Sequence, residues 1–367
     1  MMVFVTLVLP LGLLIWLVYR GWPILLVAPI MALLAAGLAT DPLFATLTQR
    51  FMPAAGGFVI SFMPLFVLGA AFGKVMEASG AANALAHWII ARLGAGQAML
   101  AVVLSCAILT YGGVSLFVVA FAVYPLAVAL FRQADLPEHL IPAAIALGSF
   151  TFTMSAMPGS PAIQNAIPMP YFGTTAFAAP GLGVIAGAIM AIGGLMYLTA
   201  MARAPRSGTK MTEEEAAPTD QGPLPPAWVA ILPIISVFVA NWVLSRHVLP
   251  RLDLGYLGTT EWGGVAASQV IGMWALIGAL AFAILLLLSL TLRRIEQPQD
   301  VLATGSQAAL LPLFNTAALV GFGAVVAALP AFTALSSAAS AMPGGVLPGL
   351  AASASLLAGL TGSASGG

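Results

Sequence analysis

Apolar residues run along this chain in blocks long enough to cross a bilayer, near 3–19, 23–40, 57–76, 176–201, 227–245, 268–291 and 302–329. Between 76 and 176 the pattern is less regular. A short amphipathic piece, 81–92, carries His87 and Arg92. Two apolar stretches follow, 97–131 and 139–170, and each is interrupted. The first breaks at Tyr111-Gly112-Gly113 within "LTYGGVS" (109–115), the second at "MPGSPAIQN" (157–165). The only long polar segment, 202–226, is rich in Pro, Gly and charge and reads as a solvated linker. The pattern therefore predicts an all-α membrane protein. Its parts are two N-terminal spans (1–56) and a first repeat (57–201) made of a span, a re-entrant hairpin 97–131, a broken helix 139–170 and the span 176–201. The linker 202–226 comes next, then two connecting spans (227–300) and an incomplete second repeat (301–367). The opening "MMVFVTLVLPLGLLIWLVYR" has neither a basic leader nor a small-residue cleavage site, so it reads as a retained span rather than a signal peptide.

Composition sharpens this picture. The chain is 61% hydrophobic and 7% charged, with mean hydropathy +1.05, whereas soluble domains carry roughly 25% charged residues. A soluble core cannot absorb that much apolar surface. Twelve basic and twelve acidic residues leave a formal net charge of zero, and nothing points to nucleic acid. The one cysteine, Cys106, lies within an apolar run and reads as packing; it excludes a disulfide within the chain.

Charge also sets the orientation, because basic residues favour the cytoplasmic side. With the N-terminus outside and 97–131 entering and leaving on one side, Arg20, Lys74, Arg92, Arg132, Arg203, Arg206, Lys210, Arg293 and Arg294 are cytoplasmic. Only Arg50, Arg246 and Arg251 are then external. A single full span at 97–131 would turn the later basic residues outward, so the charges favour a hairpin with its tip near Tyr111–Gly113.

An internal repeat points the same way. "FGKVMEASGAANAL" (72–85) matches "FGAVVAALPAFTAL" (322–335) at seven of fourteen positions. Each copy ends a span and leads through a short helix to a broken apolar run, at "LTYGGVS" (109–115) and at "LTGSASGG" (360–367). In the orientation above the two copies run in opposite directions, the inverted-repeat plan of many secondary transporters.

Broken backbone at membrane depth is tolerated only where it is buried in protein or lines a water-filled cavity. Two half-helices meeting at a small-residue turn aim amide groups at one spot, and helix N-termini suit an anion there. The candidate site therefore has three walls. Thr110, Tyr111, Gly112, Gly113 and Ser115 form the first, with glycine allowing close backbone approach. Gly159, Ser160, Gln164 and Asn165 form the second, where Pro158 and Pro161 stop the helix. Thr361, Ser363 and Ser365 form the third. Ser160 and Asn165 read as site residues because they adjoin the Pro-Gly break. Tyr111 either lines the site or wedges the hairpin. Thr151, Thr153 and Ser155 read as helix packing, as do the small residues of "GLGVIAGAIMAIGG" (181–194).

No Asp, Glu, Lys, Arg or His occurs in 93–131, 140–202 or 301–367. Recognition would rest on helix dipoles, amides and hydroxyls. Glu77, three residues after Lys74, reads as half of an interfacial ion pair rather than a coupling group. No nucleophile with a base, no His/Cys metal cluster and no phosphate loop is present, so the sequence points to no enzyme, metal or cofactor.

The stretches "FGKVMEASGAA" (72–82), "LTYGGVSLFVVAFAVYPLAVALFR" (109–132), "LIPAAIALGSFTFTMSAMPGSPAIQN" (140–165) and "TGSASGG" (361–367) resemble the gluconate permease (GntP) family of organic-anion transporters, within the ion-transporter superfamily. The Tyr-Gly-Gly hairpin is similar to the branch that handles short hydroxy acids such as 3-hydroxybutyrate. The resemblance implies a polytopic inverted-repeat transporter fold with re-entrant hairpins and a broken helix. It also implies proton- or sodium-coupled symport of a small organic anion by an elevator-type motion, in a homodimer in the bacterial inner membrane. Family members continue past the second hairpin tip, so the chain is expected to be a C-terminally truncated piece. A passive anion channel is the alternative function.

Overall fold

The computed structural model describes residues 2–114, 116–203, 223–332, 348–349, 351–352 and 354–355. All regular elements among them are helical. In chain order they include α1 Met2–Tyr19, α2 Ile24–Leu38, α3 Leu43–Thr46, α4 Met52–Ala78, α5 Ala81–Leu93, α6 Ala98–Tyr111, α7 Leu116–Gln133 and α8 Ile141–Phe150. Then follow α9 Phe152–Ser155, α10 Ile163–Ala166, α11 Pro168–Phe172, α12 Pro180–Ala202, α13 Trp228–Val243, α14 Ala267–Thr291, α15 Pro298–Ala308 and α16 Leu310–Ala327. A π-turn, Leu47–Phe51, joins α3 to α4, and another, Leu244–Val248, extends α13.

Among the described residues, five stretches are long and apolar enough to cross a membrane: Leu43–Ala78, Pro180–Ala202, Trp228–Arg251, Ala267–Thr291 and Pro298–Ala327. The all-helical, polytopic reading therefore holds. Two boundaries differ from those read off the sequence. The span expected at 57–76 belongs to a helical stretch that begins at Leu43 and passes straight through Pro53, Gly56 and Gly57. Residues that break helices in water are tolerated in membrane helices, where an unpaired backbone group is costly. The span expected at 302–329 is divided at Ala309 between α15 and α16.

The chain forms two compact units, one from Met1–Pro64 with Leu310–Gly367, the other from Leu65–Ala309. In the first, α1 contributes Leu7, Leu11 and Leu14 at helical spacing, and α2 contributes Val27, Ala28, Met31 and Ala32. Leu319, Phe322, Val325 and Val326 of α16 close this core. Gly321 lets α16 seat against the π-turn, since a methyl there would lie 2.9 Å from the Phe51 ring and 3.0 Å from its carbonyl oxygen.

The second unit is built around α6. This helix packs against α5, α7 and α8, and Ala101, Val102, Ser105, Cys106 and Leu109 on it are fully buried. A helix that is apolar all round belongs in a protein interior. At fourteen residues it is about 21 Å long, short of the roughly 30 Å of a hydrocarbon core. Beside it, α13 and α14 pack together along Ala275, Leu276, Ala279, Leu280, Ala283 and Leu287, all completely buried. Helix α12 behaves oppositely. Leu182, Ile185, Ile189 and Met196 face outward, each more than half exposed, as expected of a surface that meets lipid tails. Its inner face is glycine: a methyl at Gly183 would lie 2.3 Å from the Ala156 carbonyl oxygen, and one at Gly187 3.0 Å from Met157 Sδ. Gly194 likewise seats α12 on Leu147 of α8, so part of this glycine run serves close packing, against α8 and against the chain just past α9.

Candidate functional site

The first helix break is a C-cap built from backbone hydrogen bonds. The Val114 N–H donates to the Leu109 carbonyl at 3.1 Å, and the Gly113 N–H to the Thr110 carbonyl at 2.9 Å. This is the Schellman arrangement, which needs a left-handed residue just past the cap. Gly113 supplies it at φ +94°. Leu109 and Val114, which flank the motif, are both buried. The Ile108, Leu109 and Thr110 carbonyls are therefore satisfied without water, and the chain turns into α7.

The second break is stapled rather than capped. After α9 the chain leaves helix and returns at Ile163. Asn165 holds the gap, its Nδ2 donating to the Ser160 carbonyl at 3.1 Å and to the Ala176 carbonyl at 3.0 Å. The Gly159 N–H donates to the same Ala176 carbonyl at 2.6 Å. Ser160 is fully buried and its Oγ accepts the Ala162 N–H at 3.2 Å. Gly159 has φ +85° and no room for a side chain, because a methyl there would lie 2.6 Å from the Phe177 ring.

The fold brings the two breaks together. The Tyr111 hydroxyl donates to the Pro158 carbonyl, and a methyl on Gly113 would lie 2.8 Å from Pro161 Cγ. The Tyr111 ring also stacks on Phe238 of α13, with centroids 4.3 Å apart. Gly112 abuts Ile234 on the same helix, where a methyl would lie 2.7 Å away. Tyr111 thus wedges the α6–α7 turn between α13 and the second break.

Polar atoms at this junction are left without partners. Thr110 Oγ1 and Gln164 Oε1 are buried and make no hydrogen bond among the described residues. An unpaired buried acceptor or hydroxyl costs about 1–3 kcal/mol, so both are suited to a polar ligand. By contrast Thr151, Thr153 and Ser155 donate to carbonyls four or five residues earlier in the chain, as packing residues do. Of the candidate residues, Thr110, Tyr111, Gly112, Gly113, Gly159, Ser160, Gln164 and Asn165 lie on these two adjoining breaks. Ser115, Thr361, Ser363 and Ser365 lie outside the described residues.

Sequence reading passed over Asn241 on α13. It is completely buried, and neither Nδ2 nor Oδ1 has a partner among the described residues. A lone amide in an otherwise apolar span was the available signal. The expected Lys74–Glu77 pair forms, with Nζ 3.0 Å from the carboxylate, at part-exposed positions on α4. No group of three or more His, Cys, Asp or Glu that could hold a metal exists among the described residues.

Asn165 carries a stability prediction. Asn165→Ala removes two donors at once and leaves the buried Ser160 and Ala176 carbonyls less well paired. It is expected to destabilise the protein by about 1–3 kcal/mol, read as a lower thermal midpoint in detergent. An unchanged midpoint would show that the staple carries no load.

The family profile described as GntP family permease matches residues 1–343. An uncharacterized transporter of Bacillus subtilis strain 168, YxjC, is 40% identical over 384 aligned residues, covering 99% of this chain and 81% of that protein. An uncharacterized transporter of Haemophilus influenzae Rd is 29% identical over 220 residues, covering 59% of this chain and 49% of that protein. The high-affinity gluconate transporter of Escherichia coli K12 is 32% identical over 145 residues, 39% of this chain and 31% of its own length. No solved structure is significantly similar to the chain. The family and these relatives are membrane transporters rather than enzymes, and the all-helical multi-pass architecture fits them: the chain belongs to the GntP family of permeases.

Proposed function

We propose that this permease is a secondary active transporter of a small organic anion, a hydroxy monocarboxylate such as gluconate or 3-hydroxybutyrate, driven by symport with a proton or sodium ion. The observation that carries the reading is the junction of two helix breaks in stretches with no Asp, Glu, Lys, Arg or His. Tyr111 bonds to Pro158, and Thr110 Oγ1 and Gln164 Oε1 stand unpaired beside them. Hydroxyls, amides and helix ends can hold a hydroxylated carboxylate without a fixed counter-charge. The likeness to a gluconate transporter supports the same substrate class.

In this reading Thr110, Tyr111, Gly112, Gly113 and Ser115 form one wall of the site, Gly159, Ser160, Gln164 and Asn165 a second, and Thr361, Ser363 and Ser365 a third. The segments 57–201 and 301–367 are inverted repeats, α6 and α7 are the arms of a re-entrant hairpin, and the protein works as a homodimer in a bacterial inner membrane. The short α6, unable to cross a hydrocarbon core by itself, supports the hairpin.

Uptake of labelled gluconate, 3-hydroxybutyrate, lactate and citrate into liposomes holding the full-length protein tests this. Accumulation of a hydroxy monocarboxylate against its gradient, dependent on an imposed proton or sodium gradient, is the expected result. Failure of all four to accumulate would sink the proposal, and entry that ignores the ion gradient would favour a passive channel.

A further inference from the structure

Asn241 lies on the face of α13 that meets the first break. Ile234 abuts Gly112, and Phe238 stacks on Tyr111. Seven residues on from Ile234, Asn241 points within about 20° of the same direction, some 10 Å further along the helix. The helix widens into the π-turn Leu244–Val248 just beyond it, a distortion found often at functional sites. Nearby, a methyl on Gly278 of α14 would lie 3.0 Å from Leu244, and one on Gly113 would lie 3.7 Å from Leu280. Asn241 thus lies on the side of α13 that meets the α6–α7 turn, about 10 Å beyond the point of contact.

The chemistry of the orphan is two-sided. A carboxamide offers two donors and an acceptor oxygen, and here both the nitrogen and the oxygen lack partners among the described residues. Lipid cannot answer either. A cation would use Oδ1 and leave the N–H groups unpaired. A plain carboxylate would use Nδ2 and leave the oxygen unpaired. A carboxylate that carries a hydroxyl one or two carbons away satisfies both, its O–H donating to Oδ1 and its carboxylate accepting from Nδ2.

We infer that Asn241 is a specificity-determining residue that reads the hydroxyl and the carboxylate of the transported acid together. The inference rests on the hydroxy-acid reading above and adds a residue on α13 to the site. Thr110 Oγ1, also unpaired, would donate to the second carboxylate oxygen, and Gln164 Oε1 would accept from a further hydroxyl where the acid carries one.

The test uses the full-length protein in liposomes and compares wild type with Asn241→Leu. The probes are labelled 3-hydroxybutyrate, or whichever hydroxy acid the uptake panel identifies, and its deoxy analogue as competitor. Leucine is close in size and needs no partner, so the variant should unfold at the wild-type midpoint or above. Its KM for the hydroxy acid should rise about 10- to 100-fold, whereas inhibition by the deoxy analogue, which loses only the Nδ2 bond to its carboxylate, should weaken by a smaller factor. Asn241→Asp, which loses the donors and adds a negative charge, should block both acids. An unchanged preference in Asn241→Leu would mean that the amide meets only water and would overturn the inference alone. So would a lower midpoint, because the amide would then hold the fold through partners of its own. Lack of hydroxy-acid uptake by wild type would remove the functional proposal and this inference with it.

Discussion

Replacing Gly113 with Val is expected to abolish uptake, by about 100-fold or more, while the protein still inserts into the membrane. Two effects add. Gly113 sits at φ +94°, where a β-branched residue is strained by about 1–3 kcal/mol. Its side chain would also enter space held by Pro161, since even a methyl would lie 2.8 Å from Cγ, and such overpacking costs about 1–3 kcal/mol more. Both penalties fall where the two breaks touch, so the turn must shift away from Pro158 and Pro161. Insertion depends on the apolarity of the arms, which valine does not reduce. Reconstituted uptake, measured beside membrane yield and monodispersity, separates the two outcomes. Wild-type uptake by the variant would mean that the turn is only a packing device.

A substitution at Gly148 should act on the packing of α6 rather than on the junction of the breaks. On α8, a methyl there would lie 2.4 Å from the Val103 carbonyl oxygen and 2.6 Å from Cys106 Cβ, both on α6. The first obstacle is backbone and cannot rotate away. Because α6 is enclosed by α5, α7 and α8, it has no free side to move toward. Gly148→Leu is expected to cost about 3 kcal/mol or more, lowering the thermal midpoint by roughly 6–12 °C and reducing the yield of protein in the membrane. A variant of wild-type stability would show that α6 and α8 can separate at no cost. The two penalties are of similar size but fall in different places, so uptake per inserted protein should drop more for Gly113→Val and the yield of inserted protein more for Gly148→Leu.

The sequence marked one of these two residues and passed over the other. Gly113 stands out because it follows Tyr111-Gly112 inside an apolar run, whereas Gly148 sits unremarked within "IALGSF". Its importance comes from a contact with Val103, forty-five residues away along the chain. The same limit applied to polar residues. Thr110 and Asn165 drew notice because each adjoins a break. Asn241 does not adjoin one, and only its complete burial and unpaired amide mark it. Tyr111 left two readings open in sequence; its bond to Pro158 and its stack on Phe238 depend on α6, α13 and the second break meeting in space.

The sequence by itself determined the class and the outline. Long apolar runs must become helices in a bilayer because unpaired backbone has no water to turn to, and a Pro-Gly-Ser-Pro interruption ends a helix. Both are local consequences of backbone chemistry and can be read residue by residue. Only the tertiary structure decided that the breaks at 111–113 and 157–162 adjoin, that Asn165 staples the second one to Ala176, and which glycines sit beneath another helix's backbone. Those relations join residues far apart in sequence. In a chain so uniformly apolar, hydropathy is nearly the same on every face of a helix, so it cannot say which face meets which neighbour; packing and hydrogen bonding between helices decide that.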